Sequence, residues 1–166
     1  MTADCFALLG LPRRFAVGRA ALDGAYRERA RAHHPDRHRL ADAATQAAAL
    51  DAATALNDAY QTLKDPGRRA SHLLALRGID SSGLRAPAAL LMQQMDWHEA
   101  LDAARRGADA AALERLGAEL RTRLDACTAR LERALDAEDA AAGALLLEFG
   151  ALRRLLERLA DEEVDA

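Results

Sequence analysis

The sequence predicts an all-α fold in two parts, and three observations support this. Hydrophobic residues make up 51% of the 166 residues, and much of this share is alanine, the strongest helix former. Aromatic residues make up only 4%, and no run rich in Val, Ile and Thr indicates a strand. Apolar residues recur at helical spacing in segments that Gly and Pro interrupt.

The first part begins with two helices. A short one is expected over residues 5–11, where Gly10 and Pro12 end it. A longer one is expected over residues 18–33, because Leu22, Tyr26 and Ala30 follow one another at four-residue spacing. Pro35 disfavours helical backbone at the preceding residue, so this helix should end just before the proline.

Two further helices complete the first part. The third is expected over residues 41–64, with a core stripe of Ala49, Ala53, Leu56, Tyr60 and Leu63. Together with the second helix it should form an antiparallel hairpin. The fourth should start at Asp65-Pro66, since Asp is a good N-cap and Pro suits the first helical position, and it should end at Gly78.

The second part is predicted to be a three-helix bundle. Residues 78–87 contain Gly, Ser, Asp and Pro and form the one obvious linker between residues 1–77 and residues 88–166. The bundle helices are expected over residues 88–105, from about residue 109, and over residues 139–159, with short breaks at Gly107 and near Ala137. Trp97 and Leu101 lie on the core stripe of the first bundle helix, and Phe149 lies on that of the third.

Charge and cysteine content restrict the function. The net charge of −3 argues against a dedicated nucleic-acid binder. Residues 1–87 carry 13 Lys and Arg against 9 Asp and Glu, whereas residues 88–166 carry 10 against 17, which suggests two surfaces for two different partners. Cys5 and Cys127 are isolated, as expected of reduced thiols in a cytoplasmic protein. Neither a secretion signal nor a membrane-spanning stretch is expected.

The candidate functional site is the connection in the helical hairpin, His34-Pro35-Asp36. Pro35 stiffens the connection, so its polar neighbours lose little entropy on binding. Asp36 suits pairing with an arginine of a partner. Arg27, Arg29, Arg31, Arg37 and Arg39 add positive charge, which would steer an acidic partner. A proline turn with solvated charges is the simpler alternative.

A His-Pro-Asp tripeptide between two such helices resembles the signature of J-domain proteins, the co-chaperones of DnaK-class ATPases. The segment from Leu56 to Pro66, LNDAYQTLKDP, with Arg68-Arg69-Ala70 after it, is similar to the end of the long third helix of a J-domain and its sequel. The start, DCFALLGLP, together with the downstream bundle, narrows the resemblance to the HscB type of iron–sulfur cluster assembly. The resemblance covers nearly the whole chain.

The resemblance implies a function for each part. The J-domain would bind the DnaK-class chaperone HscA and stimulate its ATP hydrolysis, through His34, Pro35 and Asp36 supported by Arg27, Arg31 and Arg37. The bundle would bind the cluster scaffold protein IscU. The residues that the family implies for scaffold binding are Leu91, Met92, Met95, Asp96, Glu99 and Phe149. No cofactor, catalytic residue or metal ligand of its own is expected.

The pattern of apolar residues on the first bundle helix supports part of the scaffold-binding surface that the resemblance implies. Leu91, Met92 and Met95 lie off the core stripe of their helix, and a helix that is apolar on a second face needs something to cover it. Methionine suits an adaptable binding surface. These side chains could instead cover the J-domain or the linker, and Phe149 could belong either to the core or to the interface.

The sequence leaves three alternative functions: an enzyme, a general folding J-protein and a structural helical adaptor. His33, His34 and His38 near Asp36 would suit an acid–base or metal site, but there is no paired carboxylate, nucleophile or phosphate loop to complete an enzyme. A general folding J-protein usually carries a Gly/Phe-rich linker or a Cys-rich zinc module, and neither is visible. A purely structural helical adaptor does not explain the stiff, charged tip.

Overall fold

The computed structural model describes residues 3–32 and 42–163, the last three of them without side chains, and the regular structure in these ranges is helical. The helices are α1 (Cys5–Leu9), α2 (Arg19–Ala32), α3 (Ala43–Lys64), α4 (Pro66–Leu76), α5 (Ala88–Arg106), α6 (Ala110–Asp136) and α7 (Ala142–Glu163). This confirms the all-α prediction. The chain divides into two compact units, residues 1–79 and residues 80–166, and each is described by itself.

The long helix α3 organises the first unit, because α1, α2 and α4 all pack against it. Its buried side chains include Leu56 and Leu63, on the stripe that the sequence predicts. Tyr60, on the same stripe, is only half-buried. The core of this unit consists of Phe6, Leu9, Phe15, Leu22, Ala49, Leu56, Ala59, Leu63, Ala70, Leu73 and Leu74.

Aspartates begin three of the four helices that the structure describes in this unit. The carboxylate of Asp4 accepts from the N–H groups of Phe6 and Ala7 in α1. That of Asp42 accepts from Thr45 N–H at 2.7 Å, and that of Asp65 accepts from Arg68 N–H at 2.8 Å. Such N-caps satisfy donors that a helix leaves unpaired at its start. Asp65 therefore caps α4 with Pro66 in its first turn, as predicted.

Arg69 joins three segments of the first unit from within the core. Its guanidinium donates to the carbonyl of Leu63 at 2.7 Å and to the carbonyl of Phe15 at 2.8 Å, and it lies over the Phe15 ring. Only 9% of the residue is exposed. A buried charge is tolerated only where hydrogen bonds compensate its desolvation, so Arg69 fixes the α1–α2 connection against the α3–α4 corner.

The second unit is the three-helix bundle that the sequence predicts. The helix α6 packs against both α5 and α7, and α5 also touches α7. The bundle core contains Trp97, Leu101, Ala104, Leu120, Cys127, Leu131, Ala134, Leu135, Ala142, Leu145, Phe149, Ala151, Leu152 and Leu155. The Cys127 thiol donates to the Leu145 carbonyl at 3.5 Å, and burial raises its pKa to about 12.

The structure differs from the sequence prediction in the segments that precede α5 and α7. The predicted linker, residues 78–87, contains a 3-10 turn at Ser81–Gly83, and the Leu84 side chain lies so close to Gly143 that an added Cβ there would be 3.1 Å from it. The last bundle helix begins at Ala142 instead of residue 139. The Asp139 carboxylate accepts from Ala141 N–H at 2.8 Å and holds a turn ahead of the helix.

Candidate functional site

The predicted basic face of α2 is exposed. Leu22 is completely buried against the rest of the first unit, whereas Arg27 and Arg31 are exposed. The two arginines are four residues apart and therefore share one face of the helix. That face points away from the core, and its charges are presented to solvent.

A hydrogen-bonded cluster on the neighbouring face ties α2 to α3. The Tyr60 hydroxyl donates to Asp23 Oδ1 at 2.9 Å, and Arg19 Nε donates to the same carboxylate at 2.9 Å. The rings of Tyr26 and Tyr60 are 4.4 Å apart. The hydrogen bond from Tyr60 lowers the pKa of Asp23 and raises that of Tyr60. This cluster fixes how the basic face of α2 is carried on α3.

Sequence reasoning missed this cluster, although a partial signal was present. The sequence places Tyr26 and Tyr60 at helical spacing with apolar residues, which predicts that their rings pack, and both residues are half-buried. Tyrosine combines a ring that packs with a hydroxyl that needs a partner. A tyrosine on each helix of a predicted hairpin, with Asp23 one turn from Tyr26, is a pattern that could have suggested a polar tie.

Arg29 has a role different from that of its neighbours on α2. Its guanidinium lies beside Gly10, where an added Cβ would be 2.7 Å from Nη2. Gly10 ends α1 in the left-handed region at φ 69°, where glycine is favoured. Arg29 thus packs at the carboxyl end of α1 and is separate from the face formed by Arg27 and Arg31.

The central part of the predicted chaperone-binding site lies outside the described residues. This applies to His34, Pro35, Asp36 and Arg37. On either side, α2 is described to Ala32 and α3 begins after its N-cap, Asp42. The tripeptide thus lies in sequence between the described parts of α2 and α3. Its role in chaperone binding stays a prediction.

The predicted client-binding side chains of α5 are exposed. Leu91 is 51% exposed, Met92 67% and Met95 61%. On the other side of the same helix, Trp97, Leu101 and Ala104 are buried in the bundle. Asp96 and Glu99 are also exposed, within one turn of the methionines. The second unit thus carries an outward patch on α5 that we call the α5 patch: Leu91, Met92, Met95, Asp96 and Glu99.

Phe149 does not belong to this exposed set. It is 4% exposed within the bundle core, and the Arg153 guanidinium lies 5.8 Å above its ring. Of the two roles that the sequence left open, the structure supports burial in the core. A contact between Phe149 and a partner would require the side chain to leave that position.

Neither a metal site nor a membrane-spanning helix is present in the part of the chain that the structure describes. In residues 3–32 and 42–160, no three His, Cys, Asp or Glu side chains are close enough to hold a metal ion. The sequence suggested an acid–base or metal site at His33, His34 and His38, and these three residues lie outside the described ranges. Within the described part of the chain, none of the helices is long and apolar enough to cross a membrane.

The chain matches two protein-family models and is similar to several curated proteins. A DnaJ domain model matches residues 4–72, and a model described as HSCB C-terminal oligomerisation domain matches residues 86–159. The co-chaperone protein HscB homolog of Chromobacterium violaceum is 47% identical over 135 residues, which cover 80% of this chain and 76% of that protein. The homolog of Burkholderia multivorans is 43% identical over 160 residues, covering 95% and 90%.

A solved structure agrees with these matches. The chaperone HscB from Vibrio cholerae superposes with a TM-score of 0.85 at 31% sequence identity, covering 98% of this chain and 99% of that one. The similarity therefore extends over the described helices of both units and does not depend on one motif.

Proposed function

The chain belongs to the HscB family of J-domain co-chaperones, and from this premise we propose that it recruits the DnaK-class chaperone HscA, stimulates its ATP hydrolysis and delivers the scaffold protein IscU to it. The chain would act in the cytoplasm, during iron–sulfur protein maturation. As a co-chaperone it is not itself an enzyme; the chemistry belongs to its partner.

The first surface of the proposal is the basic face of α2 together with the adjoining tripeptide. Arg27 and Arg31 offer two exposed charges to an acidic chaperone surface, and long-range attraction of this kind raises the association rate. His34, Pro35, Asp36 and Arg37 would complete the contact, with Asp36 pairing with an arginine of the chaperone. The cluster of Asp23 and Tyr60 supports this role by fixing α2 on α3.

The second surface is the α5 patch. Large apolar side chains that remain exposed together indicate a binding surface, and two of the three here are methionines, which adapt to the shape of a partner. Asp96 and Glu99 border them and would set orientation through charge. We assign residues 88–166 to client binding, residues 1–77 to the J-domain and residues 78–87 to the linker.

One observation carries the client half of the proposal. Leu91, Met92 and Met95 are more than half exposed on a helix whose opposite side is already buried in the bundle. Packing of the bundle therefore does not explain them. A partner that covers these three side chains explains why they are large and apolar.

The test is the steady-state rate of ATP hydrolysis by the cognate HscA, measured with and without this chain and with IscU present or absent. For Asp36→Asn we expect about a tenfold or greater loss of stimulation, because losing one partner of an interfacial charge pair costs roughly 2–5 kcal/mol. Scaffold binding should be unchanged. Leu91→Ala combined with Met95→Ala should weaken scaffold binding by about tenfold or more and leave the basal stimulation intact.

Matched controls separate these effects from general damage. Asp58→Asn removes the same charge from an exposed position on α3 and should stimulate like the wild type. Leu50→Ala removes an exposed apolar side chain from the first unit, where it is 60% exposed, and should bind the scaffold normally. If a folded Asp36→Asn variant still stimulates fully, or if either folded variant loses both functions, the proposal is wrong.

A further inference from the structure

A cavity of about 220 Å³ lies between α5 and α7 in the second unit and is distinct from the α5 patch. Its polar lining consists of Gln94, His98, Arg154 and Arg158. Trp97, Ala151 and Leu155 form its apolar remainder. Two guanidinium groups thus line one small cavity in the half of the chain where acidic residues outnumber basic ones.

The two arginines of this cavity form no ion pair with a carboxylate among the side chains that the structure describes. Other arginines of the bundle have such partners: Arg153 pairs with Glu157 at 3.3 Å, and Arg130 pairs with Glu148 at 3.4 Å. Neither Arg154 nor Arg158 forms an ion pair with the side chains described in residues 3–32 and 42–160. Two cations in one cavity, neither paired with a described carboxylate, create a local field that attracts an anion.

One of the two guanidinium groups lies over a glycine, and the other is hydrogen-bonded to a histidine. Arg154 lies over Gly150, where an added Cβ would be 3.3 Å from Nη1. Arg158 Nη1 lies 2.9 Å from His98 Nδ1. Because a guanidinium only donates, Nδ1 accepts this hydrogen bond, and the other ring nitrogen of a neutral His98 carries a hydrogen that it can donate. The Gln94 amide adds a further donor group to the lining.

The helix dipole does not account for this arrangement. Cations are favourable in the last turn of a helix, but α7 ends at Glu163, and Arg154 lies more than two turns earlier. Exposed basic residues that serve only solubility need not converge on one cavity. A requirement for positive charge at this place explains both arginines.

We propose that this cavity binds a small multivalent oxyanion, of the phosphate or the polycarboxylate class, between Arg154 and Arg158. Paired guanidinium groups recognise the oxygens of such anions through charge-assisted hydrogen bonds. His98 and Gln94 supply neutral donors, and the apolar side of the cavity, with the Trp97 ring, accommodates the rest of the molecule. This site would act independently of the α5 patch.

Trp97 provides the measurement, because it lines the cavity and is the single tryptophan of the chain. The full-length protein is titrated with pyrophosphate and, in a separate arm, with citrate, while tryptophan emission is followed. Sodium chloride at matched ionic strength is the reference. Saturable quenching or shift by pyrophosphate assigns the phosphate class, and the same response to citrate alone assigns the polycarboxylate class. A rise in the melting temperature with the bound anion is the second measurement.

Substitutions test the assignment. Arg154→Gln and Arg158→Gln should each weaken binding by about tenfold, the usual cost of losing a charge-assisted hydrogen bond. Arg153→Gln is the matched control, since it removes the same charge from the adjacent residue of α7, outside the cavity lining, and should bind as the wild type does. The proposal is overturned if neither anion acts beyond chloride, or if the control weakens binding as much as the two cavity substitutions.

Discussion

His72 is a buried titratable group that secures the docking of α1. It is 6% exposed on α4, its Nε2 accepts a hydrogen bond from Cys5 N–H at 3.1 Å, and its ring stacks on Phe6. The amide of Cys5 opens α1 and would otherwise lack a partner. An accepting Nε2 requires the neutral ring, and burial lowers the pKa of His72, with the charge of Asp4 opposing and that of Arg13 adding to this effect.

This arrangement predicts a pH dependence of stability. An unfolded histidine titrates near pH 6.5, and the folded pKa of His72 lies below that value. The stabilisation that neutral His72 gives to the folded state is complete above about pH 6.5. It declines as the pH falls toward the folded pKa, because the unfolded chain takes up a proton at a higher pH than the folded chain does. Urea denaturation between pH 5 and 7.5 should show this decline in the free energy of unfolding.

The variant His72→Phe should keep the packing against Phe6 and lose part of that pH dependence. The control is His98→Asn, which alters a histidine of the second unit. In this variant the free energy of unfolding of the first unit should depend on pH as it does in the wild type. If the free energy of unfolding of His72→Phe depends on pH as steeply as that of the wild type, the pH dependence arises from other groups.

At the scale of the element, helix starts are where local chemistry and structure agree. Asp65 and Asp109 were both expected near helix starts, and each accepts a hydrogen bond from a backbone N–H of the first turn, at 2.8 Å and 2.9 Å. A capping interaction involves residues within three positions of one another. For that reason the sequence alone suffices to find it.

Helix ends in the bundle are less predictable. Gly107 was expected to break the chain after α5, but its φ is −82°, and Ala108 adopts the left-handed region at φ 47°. Glu138 does the same after α6, at φ 56°. The chain closes α5 through bonds from Ala108 N–H to Arg105 and from Asp109 N–H to Ala104. These two hydrogen bonds require the left-handed conformation at Ala108. The glycine of this connection, Gly107, lies one residue earlier in the chain and therefore does not adopt it.

Ala108→Gly should therefore stabilise the second unit. A left-handed conformation costs a non-glycine residue about 1–2 kcal/mol, and the added freedom of glycine in the unfolded chain returns about 0.4–1 kcal/mol of that gain. We expect a net increase of about 0.5–1 kcal/mol in the free energy of unfolding, measured by urea denaturation. Ala118→Gly, at an exposed position inside α6, should instead lower it by about 1 kcal/mol. Equal effects of the two substitutions would contradict this account of Ala108.

At the scale of the whole molecule, two units with separate cores carry two different surfaces. The acidic residues are concentrated in the second unit, whereas the basic residues divide almost evenly between the two units. If the chain presents a client to a chaperone that it also contacts directly, the two contacts raise each other's effective concentration. The two binding events should then be coupled through one chain.

We expect saturating IscU to raise the affinity of the chain for ATP-bound HscA by about 5- to 150-fold, equivalent to about 1–3 kcal/mol, and HscA to raise the affinity for IscU by the same factor. Fluorescence anisotropy of labelled protein measures both affinities. The Leu91→Ala, Met95→Ala double variant should abolish the enhancement and keep the affinity for HscA alone. An affinity for HscA that IscU leaves unchanged would contradict the coupled model.

Periodicity and capping act between neighbouring residues, so the sequence alone predicts the helical class, the order of the helices and most of their starts. It also marked Leu91, Met92 and Met95 as lying off the core stripe of their helix, and they are exposed. The sequence does not predict that Phe149 is buried, that Arg69 bonds to the Phe15 carbonyl or that Tyr60 bonds to Asp23, because these features arise from contacts between distant residues. The same holds for Arg158 beside His98, 60 positions away. These outcomes depend on which distant residues meet when helices pack, and a pattern read along one helix does not contain that information.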